Sequence, residues 1–160
     1  MNHIYDLIVL APHIDDEIIG CFSLLKQYKK IKIVYFHDLD NIRKAEAKEV
    51  SVVTHWDISF NGYAEPIDEN SLLAVPIKYD LHPHHRGVAK YAKKLKNKKV
   101  YYSVDKNIPC DLLSKDAREE KEAFLNKFYK SQDLWVYNKK YILFEKIFEK
   151  ENSLLKLFRI

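Results

Sequence analysis

The sequence predicts an α/β fold, a three-layer sandwich with a mainly parallel sheet, formed by residues 1–160 as a single domain. Three observations predict it. Short apolar runs rich in Val, Ile and Leu recur along the first two-thirds of the chain, and a segment of helical periodicity follows most of them. A chain of 160 residues is long enough to bury one sizeable core. The residues are 47% apolar, with 11 Tyr and 8 Phe, which places the chain among globular proteins.

Tyr5–Ala11 reads Tyr-Asp-Leu-Ile-Val-Leu-Ala, a strand buried on both faces, and Pro12 ends it. Glu17–Lys29 follows as a helix with Ile18, Phe22 and Leu25 turned inward. Lys26, Lys29 and Lys30 near its end suit the helix dipole. Ile31–His37 is the second strand. Asp40 caps a helix over Asn41–Val53, which is dense in Ala, Glu and Lys. Asp57–Phe60 is a short third strand, and Asn61–Ser71 is a loop marked by Asn-Gly, Pro66 and Asp68. Leu72–Lys78 fits a short strand or an extended loop. His84–Leu95 is helical, Lys99–Val104 is a strand and Asp116–Phe128 is helical. Tyr141–Ile160 stays open, since Tyr141–Phe148 fits a final strand or the start of a helix. No repeat, low-complexity tract or linker interrupts this order.

Composition narrows the function classes. Cys21 and Cys110 form no disulfide framework and suit a reducing compartment. The chain shows neither a basic segment followed by a long apolar run at its start nor any apolar stretch long enough to span a membrane. These features predict a cytoplasmic protein. The net charge of +4 is mild and points to no nucleic-acid partner.

The chemistry concentrates in two segments. Val9–Gly20 reads Val-Leu-Ala-Pro-His-Ile-Asp-Asp-Glu-Ile-Ile-Gly, so His13, Asp15, Asp16 and Glu17 stand at the carboxyl end of the first strand. Ligands of open α/β sheets bind at that edge. One imidazole and several carboxylates suit a metal site with a carboxylate left over as a base. Acids in a first helical turn also complement the dipole. The second segment, Asp80-Leu-His-Pro-His-His-Arg-Gly-Val88, carries His82, His84 and His85, which could also form a polar cap on the following helix.

The Pro-His-Ile-Asp-Asp-Glu run followed by Gly20 resembles the (A/P)HPDDE…G signature of the LmbE-like (PIG-L) de-N-acetylases. These are zinc enzymes that remove acetyl groups from N-acetylglucosamine-type sugars. Asp80–Val88 resembles the second signature of that family, D-x-HPDHR, and Lys121 with Tyr129-Lys-Ser-Gln132 echoes a third, K…Y-x-SQ. The three matches follow the order of the family and spread over most of the chain. The resemblance implies a Rossmann-like sandwich of the LmbE-like kind. It implies that His13, Asp16 and His85 bind Zn2+, that Asp15 is the general base, and that His82 acts as acid and holds the oxyanion. Arg43 resembles a substrate-contacting arginine, though a helix-surface charge paired with Glu46 would look the same. Glu17 would support the site or cap the helix, and Gly20 would allow close helix–sheet packing. The implied substrate is an N-acetylated amino sugar or glycoconjugate.

Two residues depart from the family pattern. Ile14 stands where the family has Pro, and Ile can adopt the same extended conformation. His84 stands where the family has an Asp that orients and charges the acid histidine; Asp80 is a possible substitute. Elsewhere, the basic run Lys93–Lys99 reads as a solvated helix end, Asp57 as a turn residue, and Trp56 and Trp135 as packing residues. His3, His37 and His55 read as structural, with His37 notable for ending a strand at the active edge. Two rival functions remain. One is a nucleotide hydrolase using the histidine cluster, although no alternating histidine pattern is present. The other is a non-catalytic sugar-binding or interaction module, which would need neither the base nor the metal.

Overall fold

Leu7–Ala11 (β1) lies at the middle of the sheet, every residue buried, as its uninterrupted apolar run requires. The computed structural model describes residues 4–104, 111–131, 144–145 and 147–148. The chain continues through α1 (Asp16–Leu25), β2 (Ile31–Tyr35), α2 (Asn41–Thr54), β3 (Asp57–Ser59), β4 (Leu72–Pro76), α3 (Pro83–Ala92) and β5 (Lys99–Tyr102). Beyond these come β6 (Asp111–Leu112), α4 (Lys115–Phe128), β7 (Phe144–Glu145) and β8 (Ile147–Phe148). Six strands form one sheet in the order β3-β2-β1-β4-β5-β8. The first five are parallel, with Val9 opposite Ile33 on one side and Ala74 on the other. At the edge, β8 runs antiparallel to β5, while β6 and β7 form a separate antiparallel pair.

Alternation along the strands divides the core in two. Leu7, Val9, Ala11, Ile31, Ile33 and Tyr35 pack with Ile18, Phe22 and Leu25 of α1, Ala47 and Val50 of α2, and Leu125 and Phe128 of α4. Ile8, Leu10, Val34, Leu73 and Val75 face the other way, against Val88 and Ala92 of α3. The result is the expected α/β arrangement, a mainly parallel sheet with helices on both faces. Burying each such Leu or Ile stabilises the fold by about 1.5–3 kcal/mol before chain entropy is counted.

Gly20 matters because α1 crosses close to β5. A Cβ there would run into the ring of Tyr102, whose hydroxyl donates to the Leu10 carbonyl at 2.8 Å. The expected role of Gly20 in close packing is therefore present.

Element boundaries differ from expectation where long-range bonds take over. The first helix ends at Leu25 rather than Lys29. Asp6 accepts the Lys30 N–H, and the Lys30 carbonyl receives the N–H groups of Asp6 and Leu7. These bonds turn the chain early to start β2 beside β1. Lys29 and Lys30 thus lie outside the helix, and Lys26 pairs with Glu120 of α4 instead of serving the dipole alone. Asp40 caps α2 as expected, accepting from Ile42 and Arg43 at 2.9 and 3.0 Å. Leu72–Lys78 resolves as a strand over Leu72–Pro76, because β1 and β5 pair with it on either side. Of the open segment Tyr141–Ile160, residues 144–145 and 147–148 are strands and the remainder lies outside the described residues. No helix among the described residues is long and apolar enough to cross a membrane.

Candidate metal centre

The chain steps from β1 to β2 on one side of the sheet and later returns to place β4 on the other side of β1. This reversal of strand order falls at the carboxyl ends of β1 and β4, the place where ligands of such sheets bind. Residues 12–16 leave β1 there, and residues 77–85 leave β4 there. Histidines 72 positions apart, His13 and His85, meet as a consequence.

Three ligand atoms form a near-equilateral triangle. His13 Nδ1 lies 3.2 Å from Asp16 Oδ2, His85 Nε2 lies 3.3 Å from the same oxygen, and the two ring nitrogens are 3.2 Å apart. A tetrahedral zinc with bonds of about 2.0–2.1 Å spaces its ligands by about 3.3 Å. The triangle therefore has the dimensions of one face of such a site. His13, Asp16 and His85 could hold a cation without rearrangement, as the resemblance implies. Asp16 and His85 are buried, and the His13 side chain is 12% exposed, which leaves one side open.

Charge favours the same arrangement. Burial would raise the Asp16 carboxyl, but His85 and His13 override it and hold the group well below the usual carboxylate range. Burial would lower the His85 imidazole, but Asp16 and then Asp80 push it up to about 10. A cation held at the triangle would take the place of that proton between the two carboxylates. Asp80 Oδ2 lies 2.9 Å from His85 Nδ1. A histidine that donates Nδ1–H to a carboxylate presents a bare Nε2 to the metal.

Asp15 stands beside the triangle but outside it. Its carboxylate is buried and accepts no hydrogen bond from the described residues. Burial, reinforced by Asp16 and Glu17, raises its pKa well above the ordinary value. Its backbone has φ 126°, a conformation that a residue with a side chain rarely adopts. Glu17 holds it there: Oε2 accepts the Asp15 N–H at 3.1 Å, and Oε1 accepts the hydroxyls of Tyr35 and Tyr129. Burial lifts Glu17 to about 7 against the pull of those bonds. Glu17 thus closes the start of α1 by accepting the N-cap N–H and fixes the backbone of Asp15 beside the triangle. The Asp15 side chain itself makes no capping bond although it occupies the N-cap.

In the second segment, His82 does cap α3, its Nδ1 accepting from the His84 N–H at 3.3 Å. Asp80 Oδ1 accepts the His82 backbone N–H at 2.9 Å, so Asp80 serves His85 and the loop and does not orient the His82 ring. Desolvation and then the neighbouring imidazoles lower the His82 pKa. His84 stacks on His37 with ring centroids 4.0 Å apart and places Nδ1 at 2.9 Å from His13 Nε2.

No protein-family model matches this chain, and no curated protein does.

Other expected residues sort clearly. Arg43 pairs with Asp40 at 3.6 Å, not with Glu46, and lies near enough to Asp15 to oppose the rise in its pKa. Glu46 instead accepts from the Ser131 N–H and hydroxyl, both at 2.6 Å. The third segment is thus anchored to the site's surroundings: Lys121 is buried and donates to the Ile19 carbonyl at 2.6 Å, and Tyr129 reaches Glu17. Gln132 and Trp135 lie outside the described residues. Asp57 opens β3 at its amino end, opposite the ligand edge, and accepts from the Tyr5 hydroxyl at 2.9 Å. Trp56 packs against the core and stacks on Phe124. His37, read as structural but marked by its place at the active edge, reaches the site, and so does Asp38, which the sequence does not single out. Asp38 Oδ2 lies 3.3 Å from His13 Nε2. Both residues lie just past the carboxyl end of β2.

Proposed function

We propose that this chain is a zinc-dependent hydrolase that removes the acetyl group from an N-acetylated amino sugar or glycoconjugate. One observation carries the reading: a buried carboxylate, Asp15, stands next to a ligand triangle of tetrahedral dimensions and is not part of it. A binding module needs no proton acceptor, whereas hydrolysis does. The order of the two signatures supports the amide as the bond cleaved, and the sugar class follows from the same resemblance.

In this reading His13, Asp16 and His85 hold Zn2+, which when bound polarises the acetamide carbonyl and makes water more acidic. Asp15 takes the proton of the attacking water. His82 donates a hydrogen bond to the oxygen that gains charge, and either Asp15, returning the proton it took from water, or His82 protonates the leaving amine. Glu17, tied to Tyr35 and Tyr129, keeps Asp15 in its strained backbone state. Arg43 supports the ionised form of Asp15 and borders the substrate side.

The test is release of acetate and a free amine from a panel of N-acetylated hexosamines by the zinc-loaded chain. Equimolar acetate and amine, lost on adding a chelator, are expected. Phosphate or nucleotide release without acetate would replace the reading with the nucleotide hydrolase. No turnover on any substrate, together with no bound zinc, would leave a binding module.

A further inference from the structure

We propose that His13 Nε2, His82 and His84 form a second metal seat, suited to square-planar cations such as Cu2+ and Ni2+, that competes with the first seat for His13. His82, His84 and His13 each bring a ring nitrogen to one point, with the ligand atoms within 4.8 Å of one another. The pair at its centre, His13 Nε2 and His84 Nδ1, is 2.9 Å apart. Two cis nitrogens at 90° on a metal with bonds of about 2.0 Å lie about 2.8–2.9 Å apart. That spacing is shorter than the 3.2–3.3 Å edges of the first triangle. An all-imidazole donor set suits Cu2+ and Ni2+, and the order of divalent affinities places Cu2+ highest.

The surroundings are arranged for it. His37 stacks on His84 at 13° between ring planes and fixes how that ring faces. His84 is half-buried and His82 exposed, so a cation has a path from solvent. Behind His13, Asp16 Oδ2 lies 3.2 Å from Nδ1. When a metal sits on Nε2, Nδ1 carries the proton and donates it to Asp16, the usual carboxylate–histidine–metal relay.

Exclusion follows from the chemistry of one ring. A neutral imidazole has a single bare nitrogen. In the first seat His13 offers Nδ1 and carries its proton on Nε2; in the second the tautomer is reversed. One neutral His13 cannot serve both, so each chain takes one cation tightly.

The test uses the full chain carrying His3→Ala, so that a histidine near the amino terminus takes no copper. Cu2+ and Zn2+ affinities are measured by competition with a chromophoric chelator, alone and together, and again in a His84→Ala chain. Three results are expected. Total tight metal stays at one equivalent when both ions are supplied. His84→Ala weakens Cu2+ by at least about 100-fold and Zn2+ by less than about threefold. The Cu2+ EPR spectrum shows nitrogen ligation that changes in His84→Ala. Two tight equivalents held at once would overturn the exclusion. Unchanged Cu2+ affinity and spectrum in His84→Ala would overturn the seat itself. Both outcomes are independent of whether the chain deacetylates anything.

Discussion

Replacing Asp80 by Asn should weaken zinc binding while leaving every proposed ligand in place. Asp80 is 3% exposed and its Oδ2 lies 2.9 Å from His85 Nδ1. Its other oxygen accepts the His82 backbone N–H, which fixes the orientation of the side chain. In Asp80→Asn the amide oxygen keeps that backbone bond and turns its NH2 toward His85. A donor then faces the Nδ1–H, so His85 either loses the bond or moves its proton to Nε2, the atom that should face the metal. A buried hydrogen bond to a charged group is worth about 1.5–3 kcal/mol. Lost from the metal-competent tautomer, that corresponds to about 10–100-fold in affinity, the usual effect of removing such a partner. Competition with a chromophoric chelator reads the affinity, and circular dichroism confirms the fold. A zinc affinity within about threefold of the parent, with the fold intact, would refute the claim that Asp80 sets the His85 tautomer.

Asp15→Asn should keep zinc within about threefold and lower turnover by at least about 100-fold, whereas Asp16→Ala should lose zinc; metal content and acetate release separate the two, and the opposite pattern would exchange their roles. Gly20→Ala should destabilise the fold by about 1–3 kcal/mol in urea unfolding, because the added methyl displaces the Tyr102 ring; a change below about 0.5 kcal/mol would show that the ring moves freely. Glu65 provides a pH test away from the metal: burial raises its carboxyl, but Lys32, Ser59 and Asn61 override that and hold it below its ordinary value. A carboxyl depressed in the folded state stabilises above its unfolded value, about 4.3, and that stability is lost as pH falls through the folded value. The stability gap between the parent and Glu65→Gln should therefore be steady from about pH 7 to 5 and close below about pH 4. A gap independent of pH would mean that Glu65 acts by packing alone.

Much of the fold was legible because single residues dictated it locally. The Leu-Ile-Val-Leu-Ala run of β1 is apolar without alternation, as a strand covered on both faces must be, and Asp40 announces the start of α2. The end of α1 was not legible, because it depends on bonds between Asp6 and Lys30 across the sheet. The three residues of the ligand triangle come from two motifs, but the spacing of their atoms requires β4 to lie beside β1, which no local pattern states. The role of Asp80 was hidden for the same reason: nothing in sequence says which of three nearby histidines a carboxylate will meet. Sequence places Glu17 as a support of the site or a helix cap but cannot say what it bonds. Its real partners, Tyr35 and Tyr129, come from 18 and 112 residues away. His37 and Asp38 lie in no motif; only the place of His37 at the end of a strand marks it, and topology brings both to the site.

The central claim is tested most directly by zinc K-edge absorption on the chain loaded with one equivalent of Zn2+. The account predicts four-coordinate zinc with two imidazole nitrogens and at least one carboxylate oxygen, at about 2.0–2.1 Å, and loss of one imidazole in His85→Gln. A shell of three imidazoles, unchanged in His85→Gln and altered in His84→Ala, would contradict it by placing zinc on the wrong side of His13.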